Sequence, residues 1–241
     1  ASARPWPLSW LYRREGRRLL AYERTVAASA RRSFFVTPNE AELFKSVAVE
    51  VASTVDAIKN GVDSEFFTPD AKRANPFAAG EQALVFTGAM DYWPNVDGVA
   101  WFVADMLPQL LLQWPQLRFY IVGRSPTPQV LALASERVVV TGTVPDVRPY
   151  LQHACAVVAP LRVARGIQNK ILEAMAMGVP VVTSSIAAGG VDAQDEAHFL
   201  VADTPADYAR AIMRILSNPV ERQRLSLAGR ERMLTHHTWL R

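Results

Sequence analysis

The hydrophobic pattern divides the chain into two regions. Within residues 10–30, Tyr12, Leu19, Tyr22 and Val26 recur at helical steps with arginines opposite them. That spacing predicts an amphipathic helix whose apolar face packs on a sheet. "SFFVT" (33–37) reads as a strand and "TVDAI" (54–58) as a second one. Between them, "PNEAELFKS" (38–46) reads as a helix opened by Pro38 and Asn39, with Glu40 and Glu42 in its first turn. Residues 59–82 mix glycine, proline and charge without periodicity and read as a connector.

A regular alternation follows. Apolar runs at 83–88, 117–123, 137–142, 155–160, 180–184 and 198–202 read as strands. Helical patterns lie near 95–112, 127–135, 146–152 and 168–177, and two more close the chain near 205–217 and 219–234. Continuous apolar strands alternating with helices predict βαβ units, hence an α/β fold with a Rossmann-like parallel sheet flanked by helices. Gly88, Gly123 and Gly142 each end a strand. Ligands of such sheets lie beyond the carboxyl ends of the strands, so three glycines there point to a binding crevice.

Composition narrows the function. Half of the 241 residues are hydrophobic, enough for one sizeable core or one domain plus part of another. The single cysteine, Cys155, lies in "ACAVVAP" and reads as a small core residue of an intracellular protein. No signal-peptide pattern opens the chain, and Asp105 and Pro108 break its most apolar run, so the expected protein is soluble or at most peripheral to a membrane. Residues 1–32 carry eight arginines against two glutamates, which exceeds the net +3 of the whole chain and leaves the remainder acidic. Basicity confined to one end argues against nucleic acid as a partner.

Several chemistries lack their motifs. The chain has no G-x-G-x-x-G, P-loop, G-x-S-x-G, H-E-x-x-H or C-x-x-C. His153, His198, His236 and His237 lack metal-ligand spacing, and the adjacent pair reads as surface histidines. What remains is "ARGIQNKILEAMAMGVPVV" (164–182): a glycine turn, a short helix beginning near Ile167 or Gln168, a stop at Gly178 and a buried strand. The free N–H groups of such a helix start favour an anion, and Arg165 and Lys170 add positive charge. Glu173 sits among Ile171, Leu172, Ala174, Met175 and Ala176. A carboxylate there can accept two hydrogen bonds from a ribose diol. The alternative is a solvated Glu173 paired with Lys170 at i−3.

This stretch resembles the signature of retaining, group 1 nucleotide-sugar glycosyltransferases of the two-domain GT-B fold. "NGVDSEFFTP", "LVFTGAMDYWPNVDG", "RFYIVGR" and "VVVTGTVPDVRPYLQHACAVVAPL" follow in the family's order, so the resemblance covers roughly residues 54–234. "YWPN" and "RGIQNK" are most similar to bacterial sugar transferases associated with exopolysaccharide and exosortase gene clusters. The resemblance implies that Glu173 holds the nucleotide ribose and that Gly166, Ile167 and Gln168 approach sugar and diphosphate through their backbone. It implies that Gly88 forms the phosphate loop, that Gly142, Thr143, Val144 and Asp146 flank the base, and that Arg124, at the end of "RFYIVGR", is substrate-binding. No cofactor and no metal are expected. The implied partners are a nucleotide-sugar donor and a glycan or lipid-linked acceptor.

Two departures stand out. Arg165 occupies the place of the family's first acid, and the loop after Gly88 ("AMDYWPN") lacks the usual basic pair. The expectation is that Arg165, with Lys170 or Arg162, supplies the charge that stabilises the leaving diphosphate; the alternative is a loop arginine open to water. On the family's plan, residues 1–58 are the remnant of an N-terminal acceptor domain, 59–82 the interdomain linker and 83–241 the donor-binding domain, so this chain alone is expected to bind donor without competent transfer. Trp6, Trp10, Tyr12 and Tyr22 among the arginines would also suit peripheral contact with the cytoplasmic face of an inner membrane. Two other readings stay open: a nucleotide-sugar 2-epimerase and a non-catalytic scaffold domain.

Overall fold

The computed structural model describes residues 7–58 and 60–239. Arg4, Trp6 and the last two residues of "HHTWLR" lie outside the described residues. The chain divides into two compact units, residues 1–59 and 60–241.

The first unit holds helix α1 (Leu8–Ser29), strand β1 (Ser33–Phe35), helix α2 (Pro38–Val47), a 3-10 turn (Val49–Thr54) and strand β2 (Val55–Ala57). β1 and β2 pair in parallel, Ser33 opposite Val55 and Phe35 opposite Ala57. Thr37 caps α2 by accepting from the Glu40 N–H at 3.2 Å. Ala27, Ala41, Phe44, Ala48, Val51 and Val55 form its small core. The expected packing of the α1 face does not occur: Tyr12, Leu19, Tyr22 and Val26 are all exposed, and Ala27 alone is buried among the helix's described residues. The reason is length. A 22-residue helix is about 33 Å long, and two three-residue strands cover only about 10 Å.

The second unit is a six-stranded parallel sheet flanked by helices. Its strands are β3 (Gln82–Thr87), β4 (Leu117–Val122), β5 (Val138–Gly142), β6 (Ala156–Ala159), β7 (Val181–Thr183) and β8 (Leu200–Val201), in the order β5-β4-β3-β6-β7-β8. The middles of the central strands are apolar because both faces are covered. Ala83 to Phe86 and Ala156 to Ala159 are buried. The helices are α3 (Trp93–Trp101), α4 (Leu107–Leu111), α5 (Pro128–Leu131), α6 (Arg148–His153), α7 (Asn169–Ala176), α8 (Ser185–Ala188), α9 (Pro205–Ser217) and α10 (Pro219–His236). Pro108 does not end the helix that contains it. A π-helical stretch, Phe102–Met106, lies between α3 and α4, and just ahead of the proline the Leu107 N–H donates five residues back to the Phe102 carbonyl.

Residues 60–81 carry no helix or strand but are packed down. Phe77 is buried, 4.7 Å from the Tyr120 ring. The Arg148 guanidinium lies 3.9 Å above Phe66. At the other end of the unit, the Val62 N–H donates to the His237 carbonyl at 2.7 Å. His237 is therefore not a surface residue. It closes α10 and is 2% exposed, because residues 61 and 62 run against it.

Candidate functional site

The strand order reverses at β3. β4 and β5 lie to one side of it, and β6, β7 and β8 to the other. In open α/β sheets the crevice forms at such a switch point, beyond the carboxyl ends. A cleft of about 490 Å³ opens there. It is lined from four directions: by Thr87 to Ala89 after β3, by Gly123 and Arg124 after β4, by Thr143, Val144 and Val147 after β5, and by Ile167, Asn169, Lys170 and Glu173 at α7.

Backbone hydrogen bonds tie the strand ends together. The Gly88 N–H donates to the Val122 carbonyl at 3.1 Å, and the Gly123 N–H donates to the Gly142 carbonyl at 3.2 Å. One turn further out, the Met90 N–H donates to the Arg124 carbonyl at 2.8 Å. The two glycines are required by proximity. A Cβ on Gly123 would meet the Gly88 carbonyl oxygen at 1.7 Å. A Cβ on Gly88 would meet the Asn95 side-chain nitrogen at 2.7 Å. Ser125, beside Arg124, holds a left-handed φ of 56°, a conformation non-glycine residues adopt rarely.

Helix α7 begins at Asn169, with Gln168 as its N-cap. Lys170 lies in its first turn and Glu173 in its second, both directed to the cleft. Lys170 is largely buried. Its ammonium donates to Asn95 Oδ1 at 2.6 Å and sits 4.1 Å from the centre of the Phe86 ring. Desolvation pushes its pKa down to about 7, against the attraction of Glu173. Burial raises the Glu173 carboxyl, with Lys170 pulling it back down. No described residue hydrogen-bonds to that carboxylate. Helix α7 ends where the Arg230 Nε–H donates to the Ala176 carbonyl at 3.0 Å.

The structure thus brings Gly88, Arg124, Thr143, Val144, Ile167, Lys170 and Glu173 into one cleft and leaves other candidates outside its lining. The Arg165 side chain is exposed, and its carbonyl accepts from the Gln168 side-chain amide at 3.0 Å. Arg162 is held by Asp97, through Nε at 2.9 Å and through Nη2, and lies over Trp101. Asp146 is engaged by the Arg148 guanidinium, which holds its carboxyl below the usual range. Gly142 and Gly166 sit behind the lining, with left-handed φ of 66° and 63°. The Gly166 carbonyl oxygen is 2.2 Å from where a Gly190 Cβ would lie, so the end of α8 abuts that turn.

Sequence reasoning missed Thr87, Asn95, Val147 and Asn169. Only the "YWPN" piece drew attention to Asn95, and its partner is 75 positions away. Cys155 is half-buried, and burial raises its thiol. Among the described residues no His, Cys, Asp and Glu cluster could hold a metal, and no helix is long and apolar enough to cross a membrane.

Known structures share this architecture. The sucrose-phosphate synthase of Thermosynechococcus elongatus superposes with a TM-score of 0.74 at 23% identity, over 91% of this chain and 57% of that one. Anabaena HepE in complex with UDP-glucose gives 0.70 at 13% identity, over 91% and 63%. A point mutant of S. aureus TarM, in complex with fondaparinux, alpha-GlcNAc-glycerol and UDP, gives 0.69 at 16%, over 90% and 43%. This chain therefore spans about three-fifths or less of the length of these GT-B neighbours. Residues 81–218, more than half of the chain, match the family described as glycosyl transferases group 1. They contain the whole of the sheet and the cleft at its switch point, and the chain belongs to that family.

Proposed function

We propose that the cleft binds a nucleotide-diphospho-sugar and that the chain is the donor-binding half of a retaining glycosyltransferase. The carrying observation is the half-buried Glu173 carboxylate, which has no protein hydrogen-bond partner among the described residues and faces the same cleft as Lys170. A carboxylate in that position accepts two hydrogen bonds from a ribose diol. Lys170 then lies nearer the diphosphate, with Arg124 as a second cation on the opposite loop, and Thr143, Val144 and Val147 offer the base an apolar wall. Two protein cations offset the leaving charge, so the proposed site works without a metal. In the transfer, the bond from the anomeric carbon to the phosphate oxygen breaks and one to an acceptor hydroxyl oxygen forms. The hydroxyl proton is released, and a nucleoside diphosphate departs.

The acceptor we propose is a glycan or a lipid-linked saccharide of bacterial exopolysaccharide synthesis, a reading supported by the "YWPN" and "RGIQNK" segments. The protein would act in the cytoplasm, at the inner membrane. The exposed apolar residues of α1 and its arginines support that contact. A second reading, binding without turnover, is favoured by the exposed Arg165 where the family places an acid.

The test is Glu173→Ala, titrated calorimetrically with UDP-glucose and GDP-mannose. Two charge-assisted hydrogen bonds are lost, about 3 kcal/mol or ~100-fold in affinity. A 2′,3′-dideoxy nucleotide should bind the wild type as weakly as the variant, with no further loss in the variant. Equal donor affinity in wild type and variant removes the ribose assignment. Transfer assays of the full-length enzyme separate turnover from binding alone.

A further inference from the structure

We infer that Asn95 is a positioning residue for the donor diphosphate: it fixes the Lys170 ammonium at the Gly88 turn, where this chain places the cation that the loop after β3 lacks. The inference rests on the donor-site reading of the cleft.

Asn95 lies in the first turn of α3 and is 5% exposed. Its orientation is determined by its neighbours. The side-chain N–H donates to the Ala89 carbonyl at 2.9 Å, so the other end of the amide, Oδ1, must be the acceptor that faces Lys170. An ammonium has three donors. Asn95 takes one, the Phe86 ring covers one side, and the rest faces the cleft. The absence of a side chain at Gly88 keeps that path clear: a Cβ there would lie 3.3 Å from Lys170 Nζ as well as 2.7 Å from Asn95 Nδ2.

The chemistry of the partner matters. A carboxylate at position 95 would cancel the lysine's charge and repel a diphosphate. An amide carbonyl aims the ammonium and leaves its charge for the ligand. Glu173 and Arg124 are the other charged groups lining the cleft, and Glu173 forms no hydrogen bond to Lys170. A second, independent observation points to a ligand at the same place. Thr87, next to Gly88 and 5% exposed, lines the cleft with a buried hydroxyl that has no protein partner. A buried hydroxyl without a partner is costly unless something outside the chain satisfies it. A phosphate oxygen beside Lys170 would accept from it.

The experiment uses the full chain and calorimetric titration with UDP-glucose and GDP-mannose, then with the nucleoside of the better binder. Asn95→Ala is expected to weaken the nucleotide-sugar about tenfold and the nucleoside less than twofold. Asn95→Asp, which is isosteric, should weaken the nucleotide-sugar at least as much and shift the pH midpoint of its affinity upward. Lys170→Met should show the same selective loss, and the double variant Asn95→Ala/Lys170→Met should be no weaker than Lys170→Met alone. Two results overturn the inference while the wild type binds donor. One is nucleotide-sugar affinity within twofold of wild type in both Asn95 variants. The other is equal, additive loss of nucleoside and nucleotide-sugar, the mark of a merely structural asparagine. A wild type that binds neither donor nor nucleoside removes the donor-site reading and this inference with it.

Discussion

Replacing Gly123 by alanine tests whether the cleft floor depends on contact between neighbouring strand ends. The new Cβ would lie 1.7 Å from the Gly88 carbonyl oxygen and 2.8 Å from its carbonyl carbon. Non-bonded atoms pack best near 3.5 Å, so the ends of β3 and β4 would have to part by roughly 1.5 Å. Three hydrogen bonds cross or adjoin that gap: Gly88 to Val122, Gly123 to Gly142 and Met90 to Arg124. At about 1 kcal/mol each, with an overpacking cost of about 1–3 kcal/mol, the loss is about 4–6 kcal/mol. That rivals the ~5–15 kcal/mol that holds a typical domain together. The control is Gly142→Ala, where nothing lies within 4 Å and only the φ of +66° resists a side chain, a cost of about 1–2 kcal/mol. In urea melts followed by tryptophan fluorescence, Gly123→Ala should lower the midpoint by about 2 M or prevent folding, and Gly142→Ala by about 0.5–1 M. A Gly123→Ala midpoint equal to wild type, or a larger loss for Gly142→Ala, would refute the proximity argument.

Two further outcomes follow from the same geometry. Burial lowers Lys170 to about 7, and a bound diphosphate raises it again, so the complex holds more protons than the free protein above about pH 7. UDP-glucose affinity should therefore be full below about 7 and fall by up to tenfold per unit above it, with an acid limb where the raised Glu173 carboxyl protonates. Lys170→Met should abolish the alkaline fall, and a flat wild-type profile from about pH 6 to 9 contradicts the assignment. Arg230→Ala removes the donor that closes α7 at the Ala176 carbonyl. It should cost about 1–2 kcal/mol in urea melts, and no change in midpoint would show that solvent caps the helix equally well.

The sheet was legible because its central strands β3 and β6 are buried on both faces and so carry unbroken apolar runs, "ALVF" and "AVVA". The glycines at the strand ends pointed to a crevice beyond the carboxyl ends, but the strand order and the switch point came only from the structure. Less visible was how a 22-residue helix would be covered. The period of α1 names an apolar face, but period says nothing about what lies opposite. His237 was misjudged for a related reason: its burial depends on residues 61 and 62, far away in sequence. At the site, Glu173 was legible from its apolar neighbours, because a charge in such company has to be doing something other than meeting water. Lys170 was legible as a nearby charge but not as the buried one, since what distinguishes it from Arg162 and Arg165 is a side chain 75 positions away. Thr87 carried no signal at all. A threonine ending a strand is commonplace, and only the packed structure shows its hydroxyl to be without a partner.

The contact between Gly190 and the Gly166 carbonyl links the cleft to the far edge of the sheet. The turn before α7 is packed against Gly190, just after α8, and residues 189–199 lead from there into the edge strand β8. That segment reaches the cleft only through Gly190, which lies against Gly166 and Ile167, and its amide exchange should slow when the cleft is filled.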